Sequence, residues 1–211
     1  MTITQAVCSC IAFSLIIGSQ TCYSAPNDPR LAASVKCSDA TLADTPSTSI
    51  RIGNTKITLL NVYFWRDWQP IVAQPGKDGG SPLHLVVKLC IENNASIQTH
   101  LSYTAKIVEQ SGRTYDLNLD ASPNYRLIQD KDTRFPDNLD GKSRVALYKK
   151  YNIIWNGDLR PNETREVELT SHDGPYLSLD GLYAVEMLWI DATDNKSIKM
   201  VTPAEMIHRT E

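Results

Sequence analysis

Few residues in this 211-residue chain have the types and spacing that catalysis requires. The chain has no Gly-x-Ser-x-Gly nucleophile elbow and no glycine-rich phosphate-binding loop. Its histidines are far apart in the sequence, and none has a second histidine or cysteine three or four positions away, the spacing typical of a local metal site. They are His84, His100, His172 and His208. The sequence therefore predicts a non-catalytic protein without a cofactor.

A group of aspartates in one loop is the nearest approach to a cation site. Carboxylates on a loop are typical ligands of calcium. In an EF-hand register, however, Phe135 stands where the turn glycine belongs and Gly141 where the bidentate glutamate belongs. The expectation is thus a solvated acidic loop and no metal, with calcium as the alternative. The candidate ligands are Asp130, Asp132, Asp137 and Asp140.

Aromatic side chains next to cationic ones offer the best candidate surface. Tryptophan, tyrosine and arginine are enriched among the residues that contribute most to protein–protein binding. One cluster comprises Trp65, Arg66 and Trp68, and a second comprises Tyr148 and Tyr151. The alternative is that both tryptophans close one end of the fold, since an exposed tryptophan forms an apolar patch. The sequence leaves both readings of the tryptophans open.

The amino-terminal segment predicts export. Residues 1–24 contain no charged side chain, residues 6–18 are almost wholly apolar, and small residues follow. This apolar stretch is too short to span a bilayer, which predicts a signal peptide cleaved between Ser24 and Ala25. The segment lacks the usual Lys or Arg near its start, so an uncleaved anchor is the alternative. Ser19 and Thr21 do not fit a lipobox around Cys22, so a lipoprotein is not expected. The predicted location is periplasmic or secreted.

Removal of that segment leaves two cysteines, Cys37 and Cys90. In an oxidising compartment they can form a disulfide, and the alternative is two separate buried thiols. Period-2 alternation places Leu89 and its apolar neighbours on one face of a strand, and Cys90 on the other, wetter face. A cysteine there can reach a segment laid across the sheet. We therefore expect a disulfide that ties the region around Cys37 to this strand.

The charge balance limits which classes of partner are expected. The chain has 21 Lys and Arg against 24 Asp and Glu, a net charge of −3. Binding to nucleic acid or to an anionic membrane requires a basic patch, so neither is expected, nor is stable membrane insertion after signal removal. A protein partner remains the expectation, with the oligomeric state open.

Short alternating segments separated by turn signals indicate an all-β protein. Residues 25–55 read as an extended lead-in, and residues 56–211 as one antiparallel β-sandwich domain. Residues 83–91, 101–110 and 114–119 are close enough in the sequence to predict an antiparallel meander. Residues 120–141 predict a long irregular insertion, and residues 142–152 fit either a short helix or an edge strand. The other predicted strands are 56–65, 165–169, 181–190 as a central strand, and 197–201 as an edge strand.

Several of these segments resemble exported immunoglobulin-like domains of bacteria. In that pattern a strand ends in Asn, and the next strands are joined by a glycine turn that leads to Tyr. The matching stretches are residues 85–89, Glu92-Asn93-Asn94, Ile107-Val108 and Ser111-Gly112-Arg113-Thr114-Tyr115. Residues 160–164 are similar to the Pro-Gly-Glu turn of such domains, with Asn162 in place of the glycine. The resemblance implies an immunoglobulin-like sandwich and a binding or accessory role.

These observations predict an exported, non-catalytic binding or accessory protein. A sharper form is a periplasmic immunity or inhibitor protein that acts on a protein partner. The alternative is a structural subunit of a surface or secretion assembly, in which the lead-in would serve as a donor segment. A hydrolase that uses His172 or Asp173 is a third hypothesis, because fold class alone does not determine function.

Overall fold

The computed structural model describes residues 37, 48–67, 81–124, 139–151 and 153–210. Several predictions therefore lie outside the described residues. They are the signal peptide with Cys22, most of the lead-in and of the irregular insertion, and the candidates Trp68, Asp130, Asp132 and Asp137.

Among the described residues the chain forms strands and one helix, which confirms the predicted all-β class with a short helix. The strands are β1 (Ser49–Ile52), β2 (Thr55–Asp67), β3 (His84–Asn93), β4 (Thr99–Glu109), β5 (Thr114–Leu117), β6 (Asp120–Ala121), β7 (Asp158–Leu159), β8 (Thr164–Ser171), β9 (Leu182–Asp191), β10 (Lys196–Val201), β11 (Glu205–Met206) and β12 (His208–Thr210). The helix α1 spans Gly141–Lys150.

The strands form two sheets, as expected for a β-sandwich. The first sheet has the order β1-β2-β3-β8-β6, with β12 also paired to β2. The second has the order β10-β9-β4-β5, with β11 paired to β9 and β7 paired to β4. The strand pairs are antiparallel except for β12 with β2, which is parallel. Strand β9 lies between β10 and β4 and β10 lies at an edge, as predicted.

The core lies between the inner faces of the two sheets. Strand β3 alternates as predicted, with Leu85, Val87 and Leu89 fully buried and the residues between them turned outward. On the second sheet, Val185 and Trp189 are equally buried. Burial of this apolar surface is the main force that holds the sheets together.

A β-bulge in β2 reverses which side chains face the core. Ile57 and Leu59 are buried, the register shifts between Leu59 and Asn61, and from there the even-numbered residues are buried. One extra residue in a strand moves every later side chain to the opposite face. Tyr63 and Trp65 consequently lie on the outer face of the first sheet.

The predicted meander is wrong at its first connection. Strand β3 belongs to the first sheet and β4 to the second, and only β4 and β5 form a hairpin. The buried side chain of Asn93 organises the crossing. Its Nδ2 donates to the carbonyl oxygens of Ile97 (3.0 Å) and Arg160 (2.8 Å), and its Oδ1 accepts from the amide of Ala95 (3.0 Å). A short connection can join strands in one sheet or across two, so period-2 alternation does not distinguish them.

Strands β1, β11 and β12 lie outside the predicted strands, and the segment that fitted either a helix or a strand is a helix. Strand β1 falls within residues 25–55 and pairs with β2 in the first sheet. Strands β11 and β12 follow the last predicted strand.

The helix α1, in the segment that fitted either a helix or a strand, has Asp140 as its N-cap. The Asp140 carboxylate accepts a hydrogen bond from the Ser143 amide (2.9 Å). Hydrogen bonds from Ser143 also hold the pKa of Asp140 below its usual value. Asp140 thus caps a helix, a role that needs no metal.

The predicted disulfide is present. Cys37 and Cys90 are bonded, with their Cα atoms 5.8 Å apart. Cys90 faces outward from β3, as the alternation predicts, but is only 4% exposed. The disulfide therefore fixes Cys37 to the outer face of the first sheet.

The turn before β8 explains the departure from the Pro-Gly-Glu pattern. Asn162 has φ of 54°, in the left-handed region that glycine usually occupies and that asparagine tolerates best among other residues. The Glu163 carboxylate accepts a hydrogen bond from the amide of Arg160 (2.7 Å), which closes the turn.

Candidate functional site

Five aromatic and imidazole rings form a row on the outer face of the first sheet. His208 of β12 pairs in register with Trp65 of β2, which pairs with His84 of β3. Leu85 pairs with Ser171, so His172 follows β8 next to His84. Tyr63 lies two residues before Trp65 on the same face. We call these residues the ring row: Tyr63, Trp65, His84, His172 and His208.

Most rings of the row stack face to face. The centroids of Tyr63 and His208 are 4.9 Å apart, those of Tyr63 and Trp65 are 5.6 Å apart, and those of Trp65 and His84 are 5.3 Å apart. The planes within these pairs diverge by 27° or less, whereas His172 meets His84 edge-on. At these separations the paired rings are offset, so each covers only part of its neighbour's face. The N–H and O–H groups of the row lie at the ring edges.

Polar contacts extend the row at one end. The Oδ2 atom of Asp67 lies 3.5 Å from Nε2 of His84, and Nδ1 of His84 lies 3.2 Å from Nδ1 of His172. The sequence shows His84 on an outward position and His172 in a turn. Their meeting depends on the pairing of β3 with β8, which residue types do not specify. Histidines that are far apart in the sequence are therefore neighbours in space.

A groove of about 460 Å³ runs beside the ring row. Tyr63, Trp65 and Val86 supply its apolar part, and Asn61 supplies an amide. Lys88 and Glu168 also line it and are paired at 3.3 Å. The groove is therefore apolar in part and carries a balanced ion pair.

A larger cleft of about 880 Å³ lies beside α1, and His172 lines it too. The polar atoms of two of its aromatic residues, Tyr103 and Trp155, are directed into the protein. The Tyr103 hydroxyl donates to the carbonyl oxygen of Leu119 (3.0 Å), and the Trp155 indole N–H donates to the carbonyl oxygen of Asp158 (3.1 Å). Burial, with a smaller contribution from Asp120, raises the pKa of Tyr103 to about 12. These side chains shape the cleft but offer few free polar atoms to a ligand.

A hydrogen-bonded pair of His100 and Asp158 lies at the rim of this cleft. Nδ1 of His100 is 2.8 Å from Oδ1 of Asp158, and this hydrogen bond lowers the pKa of the Asp158 carboxyl. The pair joins β4 to β7, so it has a structural role.

The candidate residues separate into three groups. Trp65 belongs to the ring row and is half-buried on an outward position. Tyr148 lines the cleft beside α1, and Tyr151 follows the helix with the Lys150 ammonium 6.0 Å from its ring centroid. Arg66 is buried at 3% exposure, so its prediction as a surface contact is wrong.

Arg66 instead joins loops beneath the ring row. Its Nε donates to the carbonyl oxygen of Ser81 and one terminal nitrogen donates to that of Leu177, each at 2.8 Å. Its guanidinium also lies 5.5 Å from the Tyr176 ring centroid. The bulge in β2 turns Arg66 inward together with Val62 and Phe64.

Within the part of the chain that the structure describes, neither a cluster of metal ligands nor a membrane-spanning helix is found. No three or more His, Cys, Asp or Glu side chains converge there as ligands for a metal ion. Within the same residues, no helix has the length and apolar character to cross a membrane.

Comparisons with known proteins give distant likenesses to solved structures. No protein-family model and no curated protein matches its sequence. An uncharacterised β-sandwich protein from Clostridium difficile 630 has a TM-score of 0.37 and 14% identity, over 74% of this chain and 89% of that chain. A conserved hypothetical protein from Bacillus anthracis has a TM-score of 0.35 and 11% identity, over 74% of this chain and 94% of that one.

A third similar structure is a family 123 glycoside hydrolase from Clostridium perfringens. It has a TM-score of 0.36 and 10% identity, over 71% of this chain and 27% of the hydrolase. At such low scores and identities, these likenesses say nothing about what the chain does.

Proposed function

We propose that this chain is an exported, non-catalytic binding protein, and that a protein partner docks on the ring row. The observation that carries the proposal is the placement of five ring side chains in one row on an outer sheet face. Tyr63 is 39% exposed, and His172 and His208 are also exposed. Tyrosine and tryptophan supply large contact area at a low cost in conformational entropy.

The stacking geometry favours a protein over a glycan as the partner. A sugar ring packs on the face of an aromatic ring, whereas here the faces of Tyr63 and Trp65 are partly covered by stacked neighbours. Ring edges with N–H and O–H groups suit backbone carbonyls and carboxylates of a polypeptide. The apolar groove beside them can accept a partner side chain.

Export is supported by the disulfide as well as by the charge-free amino terminus. Disulfides persist in oxidising compartments and are rare in the cytosol. The Cys37–Cys90 bond thus fits a periplasmic or secreted protein. Sequencing of the protein recovered from outside the cytoplasm should show Ala25 as its first residue. Recovery of the full-length chain from the cytoplasm alone would contradict this part of the proposal.

An immunity or inhibitor protein is the sharper form of the proposal, and an immunoglobulin-like module is the family implied by the sequence resemblance. Both require a soluble partner held in a defined complex. Partner candidates can be captured from the periplasm or medium of the organism of origin and then purified for binding measurements.

The test compares how substitutions on the outer faces of the two sheets change the affinity for the partner. The affinity is measured in the presence of a chelator. Trp65→Ala should weaken a one-to-one complex at least about ten-fold, the loss typical of a residue central to an interface. The matched control is Leu188→Ala, since Leu188 is 39% exposed on the outer face of the second sheet. It should leave the affinity within about two-fold. Equal losses from both variants, or no defined complex with wild type, would overturn the proposal.

A further inference from the structure

Two imidazoles of the ring row face each other through the same ring atom. Nδ1 of His84 and Nδ1 of His172 are 3.2 Å apart, although the residues are 88 positions apart in the sequence. Zinc binds imidazole nitrogen at about 2.0–2.1 Å, so two tetrahedral ligands have their nitrogens about 3.3 Å apart. The observed separation therefore suits two ligands of one ion as well as it suits a hydrogen bond.

The other ring nitrogen of His84 has the partner that metal-binding histidines usually have. A ligating imidazole commonly donates its second N–H to a carboxylate, which selects the tautomer and orients the ring. Oδ2 of Asp67 lies 3.5 Å from Nε2 of His84. When Nε2 carries the proton, the lone pair of neutral His84 is on Nδ1, directed at His172. Asp67 is thus a positioning residue for this lone pair.

Packing restricts the His84 ring further. It stacks on Trp65 at a plane angle of 19°, and its side chain is 16% exposed. His172 is exposed, so an ion between the rings would keep positions open to water. In the groove beside these rings, Lys88 and Glu168 are paired with each other at 3.3 Å. No cationic side chain among the described contacts of the two rings opposes an added positive charge.

We propose that His84 and His172 bind one divalent transition-metal ion, Zn²⁺ or Cu²⁺, through their Nδ1 atoms. Imidazole is a favoured ligand of both metals, and Cu²⁺ binds a given nitrogen site more tightly than Zn²⁺. Two protein ligands form a weaker site than the three or four of catalytic and structural zinc centres. We expect dissociation constants in the micromolar range, with water in the remaining positions. The inference does not depend on the proposed protein partner.

Isothermal titration of the untagged, disulfide-bonded mature chain with ZnCl₂ and with CuCl₂ at pH 7.5 tests the site. One ion should bind per chain, and His172→Ala, an exposed change that leaves the core intact, should lower the affinity at least about ten-fold. Asp67→Asn should lower it by about ten-fold through loss of the orienting contact. The matched control is His208→Ala, which belongs to the same row but contacts Tyr63, and it should remain within about two-fold of wild type.

Two further readouts separate a metal site from a hydrogen-bonded pair. Protons compete for the same Nδ1 lone pairs, so the affinity should fall when the titration is repeated at pH 5. Bound Cu²⁺ should also quench the emission of Trp65, which stacks on His84, and Trp65→Phe should remove that part of the quenching. Absence of binding by both metals at millimolar concentration, or undiminished affinity in His172→Ala, would overturn the proposal.

Discussion

The outer faces of the two sheets show what is unusual about this molecule. On the second sheet, Glu186 bridges Lys106 and Lys199 at 3.0 Å each, and Leu188 and Val201 are exposed singly. This is the ordinary solvated face of a sandwich. On the first sheet, equivalent outward positions carry the ring row and its groove. The same alternation therefore produces a solvated face on one sheet and a candidate binding face on the other.

The difference arises from two features of the first sheet. The bulge between Leu59 and Asn61 turns Tyr63 and Trp65 outward, and the parallel pairing of β12 adds His208 beside them. Bulges commonly redirect side chains near functional sites. The contrast between the faces can be tested by amino-acid substitutions. The expected effect on stability is largest in β2, slightly smaller at the disulfide and smallest at the surface ion pairs.

Replacement of consecutive residues in β2 tests the register after the bulge. Phe64 is fully buried, so Phe64→Ala should lower the free energy of unfolding by about 4–5 kcal/mol. Tyr63→Ala, one residue earlier on the outer face, should lower it by less than about 1 kcal/mol. Urea unfolding of both variants measures the difference. Similar losses at the two positions would show that the rings do not lie outside the core.

Loss of the disulfide should destabilise the first sheet nearly as much. The bond joins cysteines that are 53 positions apart, and loop-closure entropy assigns it about 4 kcal/mol. Cys37→Ala together with Cys90→Ala should therefore shift the urea midpoint strongly. Reduction of wild type should reproduce that shift and should leave the double variant unchanged. A reductant effect on the double variant would point to a different cause.

The ion pairs should contribute least. Hydrogen bonds from Lys199 and Lys106 hold the pKa of Glu186 below its usual value. A carboxylate with a lowered pKa in the folded state stabilises the fold above its unfolded pKa, and this stability is lost as the pH falls through the folded pKa. Glu186→Gln should cost less than about 1 kcal/mol at pH 7.

The pH dependence of the stability difference is the control for the Glu186 prediction. The difference between wild type and Glu186→Gln should shrink below about pH 4.3, the ordinary value for glutamate, and disappear in stronger acid. Glu168→Gln on the first sheet should show a smaller effect, because the single pair with Lys88 is about 40% exposed on both sides. A difference that grows on acidification would contradict the assigned role of Glu186. Thermal unfolding between pH 7 and pH 3 measures it.

Local patterns were sufficient to predict much of the fold. Alternation in β3 and β8 correctly predicted which side chains are buried, and it placed Cys90 where the disulfide is found. The sequence also left residues 142–152 open between a helix and a strand, because none of the α1 residues is buried and thus no apolar face distinguishes the two.

The candidate site required long-range information. Trp65 stood out by residue type alone. Its neighbours His84 and His208 come from two other strands, and His172 from the turn after a third. Their proximity depends on strand pairing and on a bulge, and neither of these produces a periodic pattern that the sequence would reveal. Arg66 shows the opposite error, since a residue type common at interfaces here holds loops together inside the fold.

Site-specific photocrosslinking in the organism of origin tests most directly whether the first sheet presents the binding face. A photoreactive amino acid replaces Tyr63 in one variant and Leu188 in another, two positions that are each 39% exposed. We predict a saturable crosslink to a single protein partner from position 63 and none from position 188. A crosslink from position 188 without one from position 63, or none from either, would contradict it.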